Sequence, residues 1–530
     1  MDEKWDQISE SDVSCHTEQE VLPVDVDESF MEDPVEPDRA EKRESQGHIG
    51  WATKLIYGQG HAVDGMRSYT FSTFVFFYYN QVLGLSPHVC GAATFLALIS
   101  DSLVDPIVGY LSDGWQSKLW GRRHPFLAFA VLPIFVSLML VFTPLVHSDH
   151  AASVDPLVVW LVVVYPLCRV CFSFFEVPYK ALGAELSSNL SDRTHLFSAS
   201  EACGLIGYGT VPILGYPLFF PSTAEYPSGV LDPAAYPRFA LCLGLLMGMS
   251  ITLLVVGTKH HIPAMNSRGP NNSTGRSKNF FSSFRQLCHN RNFRVLLLAN
   301  ILHSTVHSIE PTLSLYVNVH FWGMSSEQIG LQFLPAGIGI PVAFAVAPWL
   351  TRHYHKRTLV MSALAIYSIA ASTCIGLRLL GWSPPNESKP RLYFIAAALV
   401  FMTGSYAIAG ITLDSMIADT ADEIKSFTGR RVEGMLFATR SFSSKAASSV
   451  GGMLGGVMLW LIAFPKQAKM GQVPEDVVFK LGLFYGPLIN VLSIFCVLVY
   501  YQYDDPRAGT TDKGYHEMQN NASTPDIDPK

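Results

Sequence analysis

The sequence predicts an all-α protein that crosses a membrane several times, and two observations support this prediction. Of the 530 residues, 49% are hydrophobic and only 15% are charged, whereas soluble domains carry about 25% charged residues. Long apolar segments recur along the chain, each suited to one helical crossing of a bilayer, which needs about 20 residues. A helix satisfies its own backbone hydrogen bonds, so it is the element expected for such segments in lipid.

Twelve apolar segments can be distinguished, and polar loops separate them. We predict transmembrane helices at 54–83, 86–114, 123–146, 155–186, 194–221, 235–258, 292–321, 326–351, 357–380, 390–418, 432–463 and 477–501. A polar linker divides the twelve segments into two groups of six, and a polar tail lies at each end. The expected domains are a disordered acidic tail (1–50), a six-helix bundle (51–258), a cytoplasmic linker (259–291), a second six-helix bundle (292–501) and a disordered tail (502–530).

Lysine and arginine residues in the short loops predict the orientation of the chain. The loops that follow spans 2, 6, 8 and 10 are basic, whereas those after spans 3 and 7 contain no lysine or arginine. Basic loops remain on the cytoplasmic side of a membrane. We therefore expect both termini to be cytoplasmic, in an integral protein of the plasma membrane rather than of an internal membrane.

The second predicted span carries two carboxylates in the middle of its apolar sequence. Asp101 and Asp105 are four residues apart and therefore share one face of the helix, about 6 Å from each other. A charge inside hydrocarbon costs at least about 2.5 kcal/mol, so the pair requires a cation, a proton or a basic side chain as partner. We expect Pro106 to weaken the helix here and to free backbone carbonyls. This pattern predicts an intramembrane cation site.

Other ionisable residues lie inside the predicted spans, with opposite signs on different helices. They are Asp64, Arg67, Arg169, Glu176, Lys180, Glu201, His303, His307, Glu310, Asp414, Arg440 and Lys445. A compact bundle can gather them around a polar cavity, and we assign functional roles to Glu176 and Lys445. Asp64 and Arg67 are interpreted as a local pair near a span end, where charged side chains reach the interface. Pro178 is expected to break the helix between Glu176 and Lys180.

Three further patterns have simpler structural interpretations. Asp113, Arg122 and Arg123 at the cytoplasmic end of span 2 are predicted to form a gate latch between the halves. The residues His303, His307 and Glu310 share one helical face, for which packing or proton relay is favoured over a metal half-site. Glycines at 451, 452, 455 and 456 predict a close helix-packing face. No nucleophile–base set, metal site or cofactor motif is recognised, so no catalytic residues are predicted and we do not expect an enzyme.

Several motifs together resemble one known family. They are DSLVDPIVGYLSDGWQSKLWGRRHPF at 101–126, KLIYGQG at 54–60, EVPYKALGAEL at 176–186, and MIADTADEIKSFTGRRVEGMLFATRSFSSKAASSVGG at 416–452. Their sequence and order resemble the glycoside–pentoside–hexuronide:cation symporters of the major facilitator superfamily. The resemblance covers the chain after its N-terminal tail, and it implies twelve helices in two six-helix halves that alternate access to a central site.

The resemblance also implies roles for individual residues. Asp101 and Asp105 match the cation-site aspartates of helix 2 in that family, and Ser173 matches a hydroxyl residue that lines the cation site. Lys445 matches the helix-11 lysine near those aspartates. Glu176 matches the helix-4 acid that helps to hold sugar in the melibiose carrier.

The sequence departs from the family pattern at other positions. Val104 replaces the Asn or Thr that often precedes the second aspartate, which removes an oxygen ligand for sodium and leaves proton coupling open. Gly65 stands where a sugar-binding aspartate is expected, and only Asp64 could replace it. Glu201 stands where the family has a sugar-site arginine. A galactoside substrate is therefore not implied. We predict that Glu176, Asp64, Glu201 and Arg440 bind the substrate.

The sequence and the resemblance together predict cation-coupled symport, with H⁺ or Na⁺, of a small organic solute such as a sugar or glycoside. An alternative is the transport of an amphiphile of the lysophospholipid type, with its head group near Glu176, Arg440 and Lys445. A third hypothesis, from another class, is a membrane sensor or scaffold without transport. We expect a monomer in contact with membrane lipids, and no nucleic-acid partner.

Overall fold

The computed structural model describes residues 50–117, 119–148, 154–186, 190–263, 285, 287–386, 388–428 and 433–504. Every regular element in these ranges is helical, so the predicted all-α class is confirmed. Most of both predicted tails, most of the 259–291 linker, and Lys118 lie outside the described residues.

The first half of the chain contains six long helices. They are α1 (Trp51–Tyr69), α2 (Pro87–Gly114), α3 (His124–Phe142), α4 (Pro156–Leu186), α5 (Leu190–Thr210) and α6 (Ala235–Thr258). Two of these helices are extended by wider, π-type turns. These turns carry α1 on through Thr70–Val75 and Tyr78–Val82, and α5 on through Val211–Gly215 to a last helical turn at Tyr216–Phe219.

The second half also contains six long helices. They are α7 (Arg291–Tyr316), α8 (Ala336–His353), α9 (Lys356–Leu379), α10 (Lys389–Thr428), α11 (Glu433–Leu461) and α12 (Glu475–Leu483, with Ile489–Tyr500). The π-type turns Val317–Phe321 and Phe484–Leu488 extend α7 and join the two parts of α12. A short helix, Ser326–Leu331, precedes α8. Among the described residues, the twelve helices follow the order of the twelve predicted spans.

Eight of these helices are long and apolar enough to cross a membrane by length and composition: α2, α3, α4, α5, α6, α9, α10 and α12. Three of the other four, α1, α7 and α11, contain ionisable residues within their spans, and these residues lower the mean hydropathy. The fourth, α8, is shortened by a break. Twelve crossings therefore stay a prediction for these four helices.

Some prolines coincide with an interruption of a helix, whereas others lie within a continuous helix. The predicted span 326–351 is interrupted by a turn at 332–335, which contains Pro335 and directly precedes α8. Proline lacks the N–H that would continue the helical hydrogen bonds. By contrast, α4 continues through Pro178 and α2 continues through Pro106. The predicted helix break at Pro178 is therefore wrong. Packing of neighbouring helices compensates for one missing hydrogen bond.

The glycines of α11 form a close-packing face, as predicted, because a Cβ at each of the four positions would lie within 3.0 Å of an atom of a neighbouring helix. A Cβ on Gly456 would lie 2.5 Å from the Pro87 carbonyl oxygen of α2. A Cβ on Gly451 would lie 2.3 Å from the Thr305 carbonyl oxygen of α7. These close approaches place α11 between one helix of each half.

One end of the bundle is held together by polar contacts between the halves, and we name it the tied end. There the Tyr316 hydroxyl donates to Asn80 Oδ1 at 2.7 Å. The Gln81 amide donates to the Pro465 carbonyl at 3.0 Å and accepts from the Ala468 N–H at 3.1 Å. These buried groups satisfy one another across the boundary between the halves, which stabilises contact at this end.

The opposite end, which carries the basic loops, is different. Its described polar contacts join helices of the same half, such as Lys54 with Asp192 at 2.8 Å and Asn290 with Glu423 at 3.0 Å. Where both partners of a polar contact are described residues, none of these contacts joins the two halves at this basic end. The described polar contacts between the halves therefore lie at the tied end and around Lys445.

The glycine contact predicts the effect of one added methyl group. Gly451→Ala should lower the free energy of unfolding by about 1–3 kcal/mol, because α7 must shift to accommodate the Cβ. Thermal unfolding of the purified protein in detergent measures this change. The matched control is Gly376→Ala in α9, where a Cβ meets nothing within 4 Å. Equal midpoints for the two variants would contradict the close packing.

Candidate functional site

Eight ionisable side chains from four helices meet near the middle of α2, and we name them the central ion cluster. Its carboxylates are Asp64, Asp101, Asp105 and Glu176, and its basic members are Arg67, Arg169, Lys180 and Lys445. The first half supplies seven of these residues on α1, α2 and α4. The second half supplies Lys445 on α11.

Asp101 is the most enclosed member of the cluster, with no exposed surface. Ser173 Oγ donates to Asp101 Oδ1 at 2.7 Å, and Arg169 Nη2 donates to Oδ2 at 2.6 Å. Both donors come from α4, where a spacing of four residues puts them on the same helical face. Each carboxylate oxygen therefore has a direct donor, which offsets the desolvation of a buried charge.

Lys445 connects the two halves through three carboxylates. Its Nζ lies 2.5 Å from Asp105 Oδ2, 3.5 Å from Glu176 Oε1 and 3.7 Å from Asp101 Oδ2. The pair Asp101 and Asp105 thus faces one shared cation, as their spacing on the helix predicted. Asp105 Oδ1 is buried and has no hydrogen-bond partner among the described residues, so one acceptor atom of the pair remains available.

Arg67 and Arg169 belong to the cluster, although the sequence interpretation gave neither a functional role. Arg67 forms the predicted local pair with Asp64, but it is only 5% exposed and also lies 3.1 Å from Glu176 and 3.9 Å from Asp101. Its interpretation as an interfacial side chain is therefore wrong. Arg169 could have been recognised by its position four residues before Ser173, on the face that the resemblance had assigned to the cation site.

One aromatic ring packs against the guanidinium group of Arg67, and another packs against that of Arg169. The Arg67 guanidinium lies 5.6 Å from the Phe172 ring, and the Arg169 guanidinium lies 5.6 Å from the Phe71 ring. Cation–π attraction of this kind is stronger where water is excluded. The rings and the carboxylates together fix both guanidinium groups beside Asp101.

The central ion cluster is formally neutral, because four carboxylates face four basic side chains. In this conformation, basic side chains of the protein itself therefore provide the positive charge that Asp101 and Asp105 were expected to require. Among the described residues, no group of three or more His, Cys, Asp or Glu side chains is placed to hold a metal ion.

Two predicted substrate residues lie outside the cluster. The Glu201 carboxylate on α5 is 67% exposed and lies 3.7 Å from His61 Nε2. Arg440 on α11 pairs with Asp414 on α10. Neither contacts the carboxylates around Lys445, and their roles in substrate binding stay predictions.

The predicted gate residues meet, but within one half. Arg123 donates to Asp113 at 2.5 Å and to Glu185 at 2.9 Å, and Arg122 lies 3.3 Å from Glu185. These residues belong to α2, to α4 and to the segment before α3. In this conformation the latch therefore links helices of the first half rather than the two halves, and Glu185 is a member that the sequence interpretation missed.

The buried pair of Arg169 and Asp101 predicts a large effect of removing one partner. Arg169→Gln should lower the free energy of unfolding by about 3–5 kcal/mol, because it leaves Asp101 buried with weaker compensation. The double change Asp101→Asn with Arg169→Gln should recover most of that loss in thermal unfolding.

The control for this measurement is Asp476→Asn, which disrupts an exposed pair with Lys480 and should change stability by less than about 1 kcal/mol. If the double variant were less stable than the single variant, the ion pair would not be the cause.

Comparison with known proteins agrees with this architecture. The chain is 22% identical to the isoprimeverose transporter of Lactiplantibacillus pentosus, over 78% of this chain and 80% of that protein. It is also 22% identical to the glucuronide carrier protein homolog of Escherichia coli (strain K12), over 87% and 94%. A crystal structure of a D-xylose-proton symporter shares the fold, with a TM-score of 0.62, 14% identity, and coverage of 86% of this chain and 97% of that chain.

The family match extends over nearly all of the described helices. Residues 56–505 match the family described as MFS/sugar transport protein, which includes both halves and every member of the central ion cluster. The protein is accordingly an integral, multi-pass membrane transporter and not an enzyme. The chain belongs to the MFS/sugar transport protein family.

Proposed function

We propose that the protein is a cation-coupled symporter of a small, sugar-like organic solute, working by alternating access. The observation that carries the proposal is Lys445, a cation of the second half that faces three carboxylates of the first half. Any change in the charge of those carboxylates changes the attraction between the halves. Ion binding is thereby tied to the movement that exposes the substrate site.

The relatives support the solute class, since their names refer to isoprimeverose, glucuronide and glycoside transport. The two halves of one chain complete the ion cluster, which supports a monomer as the working unit. The basic loops support placing both termini in the cytoplasm, and we propose the plasma membrane as the location.

The geometry favours a proton over sodium as the coupling ion. A hard metal cation seeks several oxygen ligands, whereas both oxygens of Asp101 already accept from Arg169 and Ser173. A metal ion 4 Å from a fixed guanidinium would meet a repulsion of about 4 kcal/mol at an effective dielectric constant of 20. A proton needs a single oxygen, and the unpartnered Asp105 Oδ1 provides one.

The proposed cycle follows from this arrangement. Protonation of Asp105 removes its attraction for Lys445, which weakens the link across the halves and lets them rearrange around bound solute. Loss of the proton restores the ion pair. Coupling is the difference in ion affinity between the two conformations, and it is reciprocal with substrate affinity.

The first test is uptake by purified protein in liposomes with an imposed gradient. Asp105→Asn and Lys445→Ala should each lower gradient-driven accumulation at least about tenfold, since coupling free energies are about 1–3 kcal/mol. Asp476→Asn and Lys480→Ala serve as matched controls, because these residues form an exposed ion pair in α12 that is not part of the central ion cluster. Accumulation that survives both changes at the cluster would overturn the proposed mechanism.

The second test separates the two ions and the classes of substrate. A pH gradient alone should drive accumulation of a sugar probe, and a sodium gradient at equal pH should not. Isoprimeverose, D-xylose and lysophosphatidylcholine, each radiolabelled, form the panel. Sodium-driven uptake without a pH gradient would overturn proton coupling. Lysolipid uptake without sugar uptake would instead support the amphiphile alternative, and no uptake of any kind would favour the sensor hypothesis.

A further inference from the structure

A second ionisable cluster lies in the second half, apart from the central ion cluster, and we name it the α7 cluster. It contains one carboxylate, two imidazoles and three phenols: Glu310, His303, His307, Tyr367, Tyr406 and Tyr485. These residues come from α7, α9, α10 and the π-type turn within α12. The sequence analysis singled out its three α7 members, and the proposed mechanism uses none of them.

Glu310 is held by neutral donors only. The Tyr367 hydroxyl donates to Glu310 Oε2, and the Tyr485 hydroxyl donates to Oε1 at 3.5 Å. The nearest basic group is His307, whose Nδ1 lies 3.8 Å away. Within the described ranges, no lysine or arginine lies at ion-pair distance from Glu310, so two tyrosine hydroxyls and one imidazole are its polar neighbours.

Aromatic faces surround this carboxylate. The Tyr406 ring stacks on His307 with the ring centres 4.0 Å apart, and the His303 ring lies 5.7 Å from His307 and 5.8 Å from Tyr406. Tyr367 meets His307 edge-on at 5.8 Å. A carboxylate beside stacked aromatic faces is the arrangement that attracts an ammonium group, through charge and through the ring quadrupoles.

Side chains of the α7 cluster are partly exposed and lie near a helix of the first half. The side chains of Glu310 and His307 are 21% and 30% exposed, and Tyr406 is 41% exposed. Tyr208 on α5, a helix of the first half, lies within electrostatic range of both Glu310 and Tyr406. Tyr208 in turn packs edge-on against Tyr69 at 5.2 Å, two residues after Arg67 of the central ion cluster. A solute held between the halves can therefore contact both clusters.

The charges around this space favour a cationic solute group. The carboxylates Asp64, Asp101, Asp105, Glu176 and Asp414 each have a lysine or arginine partner. Among the in-span carboxylates named from the sequence, Glu201 and Glu310 pair with histidine instead. Counted with neutral histidines, these seven carboxylates face five lysine or arginine partners. The space thus has excess negative charge, which opposes an anionic solute such as a uronate.

We propose that the α7 cluster is a subsite for a cationic amino group on the transported solute, so that the substrate is an amino-bearing, sugar-sized molecule. The inference rests on the proposed transport function, and it narrows the substrate class of that function. Glu310 supplies the counter-charge, and Tyr406 with His307 supplies the aromatic faces. The remainder of the solute extends toward Tyr208 and the first half.

Equilibrium binding to the purified full-length protein in detergent tests the subsite without any gradient. D-glucosamine, D-glucose and D-glucuronate are the probes, because they share a sugar ring and carry an ammonium group, no charge and a carboxylate, respectively. The wild-type protein should bind glucosamine at least about tenfold more tightly than either other sugar, as expected for a partly desolvated ammonium–aromatic and ammonium–carboxylate contact. Equal or tighter binding of glucose or glucuronate, or no binding of glucosamine, would overturn the inference.

Two sets of variants test whether the preference for glucosamine arises from the α7 cluster. Glu310→Gln should bring the affinities for glucosamine and glucose to within about twofold of each other, whereas the surface change Asp476→Asn should leave the tenfold preference unchanged. Tyr406→Leu should weaken glucosamine binding several-fold and Tyr406→Phe should preserve it, because phenylalanine keeps the aromatic face. A preference that persists in Glu310→Gln, or equal effects of the two Tyr406 changes, would overturn the assignment.

The two proposals fail separately. Gel filtration of each variant shows whether it is folded, and if Glu310→Gln aggregates, the Tyr406 pair decides the question. Glucosamine binding with the stated preference but without accumulation under either gradient would contradict symport and would leave the subsite supported. Accumulation of neutral sugars with no preference for glucosamine would support symport and would contradict the subsite.

Discussion

The structure depends on the compensation of buried charge around Asp101. This carboxylate is fully enclosed between α2 and α4, where Arg169 and Ser173 donate to its two oxygens. Ions buried in this way are tolerated only when paired and hydrogen-bonded. The aromatic rings beside Arg67 and Arg169 contribute to this compensation of charge. The position of α1 beside α4 contributes as well. The position of the second half is constrained in turn, because it must supply Lys445.

A single lysine therefore has two functions in the architecture. Lys445 neutralises Asp105 and approaches Asp101 and Glu176, and at the same time it is the cation by which the second half contacts the cluster. The glycines of the same helix let α11 lie close to both α2 and α7. Close backbone packing is rigid, whereas an ion pair depends on the protonation of one oxygen. This combination supports a rearrangement that is controlled by charge.

The two clusters divide the chemistry between the halves. The first half gathers charges of both signs into a network that becomes neutral with Lys445 of the second half, and this network suits an exchange between a proton and an internal cation. The second half places one carboxylate among neutral rings and hydroxyls, which suits a cationic group that arrives from outside. A solute between them would contact a neutral network on one side and a negative, aromatic surface on the other.

The sequence alone determined the fold class, the approximate spans, the shared face of Asp101 and Asp105, and the packing role of the α11 glycines. These features follow from local periodicity and from composition, which do not depend on the rest of the chain. The resemblance added the correct expectation that Lys445 lies near the aspartates. The helix break at Pro178 was predicted wrongly because the cost of one lost hydrogen bond is local, whereas the packing that offsets it is not.

Only the tertiary structure decided which charges meet. Arg67 is three residues from Asp64, and that spacing suggested a local pair, yet its guanidinium also reaches Glu176 on another helix. Arg440 and Lys445 lie on the same helix, but one pairs with Asp414 and the other joins the central ion cluster. Partners between helices depend on how each helix is rotated and how closely it packs, and side-chain periodicity within one helix contains no information on either.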